Sequence, residues 1–323
     1  MRHVIYGAGG IGGVLGGRLH QGGHDVLLIA RGAHHDAIRD NGLRVQTADD
    51  DVTLRIEVTD HPSKVAWRDD DVVYFAMKSQ DTQDALFALR DVAPSGFPVV
   101  SLQNGVANEP LMLRFFANVY GVCVMCPTNF LEPGIVQAYS APVTGLFDVG
   151  RYPSGTDEVA QAISDAFRSS TYESEPRPDI MRWKYGKLLM NLGNGIDAMC
   201  GPAARSTDLF RIVREEGVRV LRAAGIDFVD ADEDAARRAS HMTIKPIAGQ
   251  RRGGGSTWQS LARGTASVET DYLNGEITKL GREFGIGTPA NELMQRLTAQ
   301  AARDGIEAGS VDPERLVAQL AHA

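Results

Sequence analysis

Cysteine is scarce in this chain, and its scarcity limits both the compartment and the chemistry. Only three cysteines occur among 323 residues, an odd number without the regularly spaced pairs of a disulfide-built secreted domain. Cys123 and Cys126 have a Cys-x-x-Cys spacing, but they lie in an apolar run without a second pair of ligands. We therefore interpret them as core residues and predict no metal site.

Excess positive charge and long apolar runs are also missing. Lysine and arginine number 33 against 41 acidic residues, a net charge of -8, which disfavours nucleic acid and anionic membrane surfaces as partners. No apolar stretch approaches bilayer-spanning length, and the N-terminus lacks the features of a signal peptide. We expect a cytoplasmic protein with a small-molecule substrate. The sequence does not define the oligomeric state, and a homodimer is compatible with it.

The order of the predicted elements indicates an α/β N-terminal domain followed by an all-α C-terminal domain. The length suggests two domains, which we place at residues 1–177 and 178–323. In the first half, short apolar runs alternate with helix-like stretches, as in a parallel sheet covered by helices. The predicted strands are His3–Tyr6, Asp25–Ala30, Val52–Val58, Asp71–Met77, Pro98–Leu102, Tyr120–Met125, Ile135–Tyr139 and Gly145–Val149. Val52–Val58 alternates apolar and polar residues, as an edge strand does. The last three strands are separated by turn residues and suggest a mixed sheet.

From about Pro178 onward strand signals vanish and helical apolar spacing dominates. The predicted helices are Ile180–Ala198, Leu209–Ala224, Asp230–His241, Ala266–Phe284 and Pro289–Ala302. Between them, Ala248–Ser256 contains four glycines together with Arg251 and Arg252. This composition is typical of a mobile loop.

A glycine-rich motif opens the chain. Gly7-Ala8-Gly9-Gly10-Ile11-Gly12 matches G-x-G-x-x-G directly after the first strand and at the start of a helical run. In that setting Gly7 permits a tight turn, Gly9 lets the backbone approach a pyrophosphate, and Gly12 lets the helix pack on the sheet. We predict a dinucleotide site, the alternative being a glycine-rich turn without a ligand.

The choice between NAD and NADP is made at the end of the second strand, where NAD enzymes carry an acidic residue for the ribose 2′-hydroxyl. Here that strand runs into Arg31, whose guanidinium can pair bidentately with a 2′-phosphate. We predict NADP(H). The alternative is that Arg31 merely leads the chain into solvent.

Two further polar positions follow predicted strands. Lys78 comes after the strand ending at Met77, and Asn104 comes after the strand ending at Leu102. Ligands of open α/β sheets bind at this carboxyl edge, so both side chains could reach the cofactor, although ordinary turn chemistry explains them equally well.

A polar helix face in the second half offers catalytic groups. Lys184, Lys187, Asn191 and Asn194 follow helical spacing and fall within an arc of roughly 80°. Reduction of a ketone leaves an oxyanion that needs a proton, and such a face can supply it, unless it is simply solvated. Glu269 shares a helical stripe with apolar residues, so we expect it to face inward and to pair with a lysine or a cofactor hydroxyl.

Taken together, these segments resemble the ketopantoate reductase (2-dehydropantoate 2-reductase) family over nearly the whole chain. The matching pieces are Gly7–Gly12, Arg31, Lys78, Asn104-Gly105, Lys187–Asn191 and Glu269–Gly275. The resemblance implies NADPH-dependent reduction of a small 2-oxo acid in a cleft between a Rossmann domain and a helical domain. It also implies that Lys187 is the general acid, Asn191 orients substrate, Asn104 lies near the nicotinamide and Glu269 contacts the cofactor.

Departures from the family pattern leave the substrate open. The family's second asparagine comes four residues after the first, whereas Asn194 comes after three. Its substrate-binding serine is matched only loosely, by Ser256 with Thr257 as the alternative. An imine or opine-type reductase, or a nucleotide-sensing protein without catalysis, remains an alternative at this point.

Overall fold

The computed structural model describes residues 1–94, 96–239, 241–250, 252–264 and 268–321. Its contacts divide the chain into two compact units, neither of which is one continuous stretch of sequence. Unit 1 comprises Met1–Gln103, Ala107–Trp183 and Ala231–Arg252. Unit 2 comprises Asn104–Val106, Lys184–Asp230 and Gly253–Ala323.

Every strand of the described residues lies in unit 1. The strands are β1 (Arg2–Tyr6), β2 (Asp25–Ile29), β3 (Leu43–Thr47), β4 (Asp51–Leu54), β5 (Glu57–Thr59), β6 (Asp71–Phe75), β7 (Pro98–Ser101), β8 (Asn118–Met125), β9 (Thr128–Asn129), β10 (Ile135–Ala138), β11 (Ser140–Pro142), β12 (Gly145–Arg151), β13 (Tyr172–Glu173) and β14 (Met242–Ile244). Eight of them form the main sheet in the order β13-β12-β8-β7-β6-β1-β2-β5.

The helices supply the rest of the regular structure. They are α1 (Gly10–Gln21), α2 (Gly32–Asn41), α3 (Thr82–Arg90), α4 (Asn108–Met112), α5 (Glu158–Ser169), α6 (Ile180–Asn191), α7 (Asn194–Cys200), α8 (Asp208–Ala223), α9 (Ala231–Ala239), α10 (Ser256–Ala262), α11 (Asn274–Phe284), α12 (Pro289–Asp304) and α13 (Pro313–Leu320). Short 3₁₀ helices occur at Pro62–Lys64, Ser79–Asp81, Pro202–Ser206 and Glu269–Tyr272.

The main sheet is covered on both faces, as the apolar runs predict. Alternate residues of a strand point to opposite faces, so Ile5 of β1 packs in one core and Val4 in the other. The first core holds α1 and α5, and the second holds α3 and α4. The parallel pairing of β2, β1, β6 and β7, with β12 antiparallel to β8, confirms a mixed Rossmann-type sheet.

Two of the strand predictions are wrong. The run Val52–Val58 is not one edge strand, because β4 pairs with β3 in a separate four-stranded sheet while β5 pairs with β2 at the edge of the main sheet. Strands also do not cease after Pro178, since β14 pairs antiparallel with β11. Both differences depend on the choice of strand partner, which the alternation of apolar and polar residues does not encode.

Unit 2 is helical, in agreement with the predicted all-α domain. Helix α7 packs on α10 and α12, and α8 packs on α11, α12 and α13. Buried Glu216 of α8 accepts hydrogen bonds from the backbone N–H groups of Ala290 (3.1 Å) and Asn291 (2.8 Å). It thereby satisfies donors that a helix N-terminus leaves unpaired and fixes α12 against α8.

The glycine-rich segment Ala248–Ser256 is only partly a loop. Ser256 is the first residue of α10, a helix that the sequence pattern does not predict. Arg251 lies outside the described residues, as do the first two residues of the predicted helix Ala266–Phe284.

Candidate active site

The glycine motif forms the turn between β1 and α1. Gly7 adopts φ +101°, and a Cβ there would lie 2.7 Å from the backbone nitrogen of Met77. Its own N–H donates to the carbonyl of Ile29 at the end of β2 (2.9 Å). A Cβ on Gly12 would lie 2.1 Å from the Gly7 carbonyl oxygen. The turn therefore requires glycine at both positions.

The start of α1 suits an anion. Its N-cap is Gly9, no side chain caps the helix, and its first turn contains no acidic residue. A Cβ on Gly9 would meet only Phe130 Cδ1, at 3.8 Å, so the backbone is open to a close approach. Ala8 is buried and Ile11 packs against the sheet core. Backbone N–H groups and the helix dipole at such a terminus attract phosphate, so these residues fit a dinucleotide pyrophosphate.

Arg31 and Lys78 lie beside this turn. Parallel strand β1 lies between β2 and β6, with Tyr6 paired to Ile29 on one side and to Phe75 on the other. From β1 the chain adds β2 and β5 on one side of the sheet and β6, β7 and β8 on the other, so the strand order reverses between β1 and β6. Open α/β sheets bind their ligands at such a reversal point. Arg31 and Lys78 follow the neighbouring strands and therefore reach the same edge.

The Arg31 side chain is 71% exposed, and its guanidinium lies 3.7 Å from the Asp81 carboxylate. This long, exposed ion pair holds the arginine only weakly. The side chain is therefore available to a phosphate at the end of β2.

In unit 2 the structure brings two predicted residues into contact. Lys187 Nζ on α6 donates a hydrogen bond to Asn104 Oδ1 at 2.9 Å. The loop that carries Asn104 turns at Gly105, which adopts φ +78° and whose Cβ would lie 2.8 Å from the carbonyl oxygen of Tyr272. The loop therefore needs a glycine to pack against the 3₁₀ helix Glu269–Tyr272, and this packing holds Asn104 in place.

Asn191 lies one helical turn after Lys187 on α6. Its side chain is 7% exposed, and its amide nitrogen has no hydrogen-bond partner among the described residues. A buried donor without a partner costs free energy. It is the type of group that a bound substrate oxygen would satisfy.

Helix α6 does not continue to Ala198, and the prediction of a single helix Ile180–Ala198 is wrong. It ends at Asn191, and α7 begins at Asn194. Two distant side chains stabilise the break: Arg205 Nη1 donates to the Met190 carbonyl (2.9 Å), and Asn274 Nδ2 donates to the Leu192 carbonyl (3.3 Å). These contacts satisfy carbonyls that a helix end leaves unpaired.

Arg205 also holds the predicted substrate residue Asn194. Its Nη2 donates to Asn194 Oδ1 (2.9 Å), and its Nε lies 2.7 Å and 2.8 Å from the two carboxylate oxygens of Asp197. Asn194 Oδ1 is 4.0 Å from the position of a Cβ on Gly255, so it neighbours the start of α10. The structure thus places Asn194 beside the segment that begins with Ser256.

The remaining predicted residues lie in unit 2. Ser256 is half-buried and Thr257 is buried on α10. Glu269 is buried, as expected. The continuous helical stripe proposed for it is wrong, because a 3₁₀ helix ends at Tyr272 and α11 starts only at Asn274. Leu273, with φ -114° and ψ -87°, separates the two.

Sequence reasoning missed Arg205 and His34. Arg205 is an isolated basic residue before α8, and its partners lie 8 to 15 positions away. His34 is one of two adjacent histidines in α2. Neither position belongs to a motif or a periodic pattern, so no sequence signal singles them out.

Cys123, Cys126 and Cys200 are free thiols, and Cys123 is buried in β8. Among the residues that the structure describes, no group of three potential metal ligands comes together. Across the same residues, every helix is too short or too polar to cross a bilayer.

Comparison with known proteins identifies a family that matches both parts of the chain. Residues 3–152 match the family model described as Ketopantoate reductase PanE/ApbA, and residues 179–302 match the one described as Ketopantoate reductase PanE/ApbA C terminal. The chain is 30% identical over 323 residues to a 2-dehydropantoate 2-reductase from Halobacterium salinarum, covering 94% of this chain and 100% of the relative.

Solved structures include members of the same family with a similar fold. A crystal structure of a PanE/ApbA family ketopantoate reductase from Ralstonia eutropha JMP134 is 29% identical with a TM-score of 0.78, covering 94% of this chain and 99% of that one. A ternary structure of D-mandelate dehydrogenase with NADH and anilino(oxo)acetate also has a TM-score of 0.78 over 94% of this chain and 99% of that chain. At 22% identity the second likeness concerns the fold alone.

Proposed function

The chain belongs to the ketopantoate reductase PanE/ApbA family, and on that premise we propose that it reduces 2-dehydropantoate, or a 2-oxo acid of similar size, with NADPH. The product is the corresponding 2-hydroxy acid. The protein is an oxidoreductase that acts on a CH–OH/C=O pair. Cytoplasmic residence and a homodimer stay predictions.

One observation carries this proposal: the ammonium of Lys187 is held by Asn104 at 2.9 Å, with the unsatisfied amide of Asn191 one turn away on the same helix. A positioned proton donor beside a buried hydrogen-bond donor is what reduction of a carbonyl requires. Neither group is needed by a protein that only senses a nucleotide.

The chemistry balances with these groups. NADPH, when bound, supplies the hydride to the carbonyl carbon. The carbonyl π electrons move to oxygen as the new C–H bond forms, and Lys187 transfers a proton from Nζ to that oxygen. Asn104 fixes the direction of Nζ before and after the transfer. The proton lost by Lys187 is replaced from solvent at the end of each turnover.

Substrate orientation is assigned to Asn191 and to the segment around Asn194. The side-chain N–H group of Asn191 would donate to an oxygen of the 2-oxo acid. Asn194, Ser256 and Thr257 supply amide and hydroxyl groups for its remaining polar atoms. Since Asn194 Oδ1 accepts a hydrogen bond from Arg205, the amide nitrogen is the atom that we propose to donate to the substrate.

Cofactor binding is assigned chiefly to unit 1. The turn Gly7–Gly12 and the N-terminus of α1 fit the pyrophosphate, and Arg31 fits the 2′-phosphate. Lys78, at the neighbouring strand end, provides a further cation. Asn104 is proposed to lie near the nicotinamide, and Glu269 is proposed to contact the cofactor.

The experiment follows the loss of NADPH absorbance with a panel of acceptors: 2-dehydropantoate first, then other branched and aromatic 2-oxo acids, then imines. We expect turnover with 2-oxo acids and little with imines. Lys187→Ala should lower kcat by about 10²- to 10⁴-fold, the usual contribution of a general acid, while leaving the Kd for NADPH unchanged. The direct readout is kcat for reduction beside NADPH binding by fluorescence titration.

Lys279→Ala is the matched control, because Lys279 is an exposed lysine of the same unit and its ion pair is with its helix neighbour Glu276. It should retain full turnover. Wild-type kcat in Lys187→Ala would eliminate Lys187 as the acid, and reduction of imines in preference to 2-oxo acids would replace the proposed reaction class.

A further inference from the structure

A buried histidine, His34, forms a hydrogen bond with the backbone of the turn that fits the cofactor pyrophosphate. We propose that His34 is a positioning residue for cofactor binding, which fixes the direction of the Ala8–Gly9 peptide through a hydrogen bond to the Ala8 carbonyl. This inference rests on the proposed use of NADPH by that turn.

The contacts of His34 determine its chemical state. It lies in the first turn of α2 and is 8% exposed. Its Nε2 is 2.7 Å from the Ala8 carbonyl oxygen, and the backbone N–H of Gly134 donates to Nδ1 at 2.9 Å. A carbonyl only accepts and an amide N–H only donates, so the ring must be neutral with its proton on Nε2. Burial lowers the pKa of His34, which is consistent with a neutral ring.

The planarity of the Ala8–Gly9 peptide relates this hydrogen bond to the direction of the Gly9 N–H group. In a planar trans peptide the C=O and N–H groups point in opposite directions. Because His34 holds the Ala8 carbonyl on the buried side, the N–H of Gly9 is directed to the open side. A Cβ on Gly9 would meet only Phe130 Cδ1, at 3.8 Å, so the backbone at Gly9 is open to the close approach of a ligand.

Two neighbours restrict the same peptide. A Cβ on Gly13 would lie 2.6 Å from the Ala8 carbonyl oxygen, so this oxygen is enclosed by the α1 backbone as well as by His34. The Phe130 ring packs on the imidazole with centroids 4.4 Å apart. The histidine thus joins α2, the Phe130–Gly134 segment and the glycine turn, without itself facing the cofactor.

Two substitutions separate the contacts of His34. In His34→Gln the side-chain amide nitrogen can take the place of Nε2 and keep the bond to Ala8. In His34→Asn the side-chain oxygen can take the place of Nδ1 and keep the bond from Gly134, but the bond to Ala8 is lost. His35→Gln is the matched control, since His35 is the next residue of α2 and its ring contacts Asp36.

We expect His34→Asn to raise the Kd for NADPH about 10-fold, the effect of one lost buried hydrogen bond. His34→Gln should remain within about threefold of wild type, and kcat at saturating NADPH should stay within about twofold in both, because the bond serves ground state and transition state alike. His35→Gln should match wild type. Thermal unfolding of each variant, read beside its Kd, separates loss of folding from loss of positioning.

Equal Kd values for His34→Asn and wild type would overturn the inference, as would an equal loss in His34→Gln and His34→Asn. A drop in kcat with an unchanged Kd would overturn it too. Absence of NADPH binding by the wild-type protein would instead refute the proposed function, so the two failures are distinguishable.

Discussion

Replacement of Arg31 by alanine tests the cofactor assignment most directly, because NADH serves as an internal control. NADPH and NADH differ only in the 2′-phosphate, which the guanidinium is proposed to bind. The exposed pair with Asp81, 3.7 Å long, contributes about 0–1 kcal/mol to stability. Loss of Arg31 should therefore leave folding intact.

The magnitude follows from the bond that is lost. Hydrogen bonds to charged groups contribute about 1.5–3 kcal/mol, and each 1.4 kcal/mol is a factor of ten in affinity. Arg31→Ala should then lower kcat/KM with NADPH by about 10- to 150-fold. With NADH the same variant should change by less than about threefold, since no phosphate contact is lost.

The assay measures initial rates of 2-oxo acid reduction against both cofactors for wild type, Arg31→Ala and Arg39→Ala. Arg39 is an exposed arginine of the same region that pairs with Asp36 and Asp40, and its removal should leave both rates unchanged. A parallel fall with NADPH and NADH in Arg31→Ala, or no fall with either, would refute the reasoning that places the 2′-phosphate at the end of β2.

Three further predictions concern the turn, the helix break and the acid response. Gly12→Ala should cost about 1–3 kcal/mol in urea unfolding and weaken NADPH binding, since its Cβ would clash with the Gly7 carbonyl at 2.1 Å; Gly96→Ala, where nothing lies within 4 Å, should do neither. Arg205→Leu should raise KM for the 2-oxo acid and leave KM for NADPH unchanged. It should also cost about 2 kcal/mol of stability, because it leaves carbonyl and carboxylate oxygens unpaired. An unchanged KM for the 2-oxo acid would contradict a role of Arg205 in positioning Asn194. Burial lowers the pKa of His3 from 6.5 to about 3, so the unfolded chain binds a proton that the folded one excludes. The contribution of His3 to the free energy of unfolding is then full above pH 6.5 and falls toward pH 3, by about 2 kcal/mol at pH 5. Thermal unfolding measured from pH 8 to pH 5 should show a smaller loss of stability in His3→Asn than in the wild type.

Local patterns were sufficient where neighbouring residues determine the structure. The strand–glycine–helix order of β1, the turn and α1 depends on apolar runs and on backbone freedom at Gly7 and Gly12, all contiguous in sequence. The position of Arg31 follows directly from the end of β2. These features were predictable, as was the division into a sheet-forming and a helical region.

The choice of strand partners explains what the sequence pattern could not predict. The run Val52–Val58 alternates in the same way whether it forms one strand or two, and only pairing with β3 and β2 separates β4 from β5. The pairing of β14 with β11 joins residues about a hundred positions apart. Neither partner choice is encoded in the alternation itself.

The break between α6 and α7 changes the interpretation of the predicted polar face. On an unbroken helix Lys187, Asn191 and Asn194 would form one surface, and a change to any of them would affect chemistry and recognition together. In the structure Lys187 is held by Asn104, whereas Asn194 lies beyond the break and is held by Arg205. The proton transfer proposed for Lys187 and the recognition of the acid proposed for Asn194 therefore depend on different local contacts. On these proposed roles, we expect substitutions at Arg205 to alter the preferred 2-oxo acid while Lys187 stays in place.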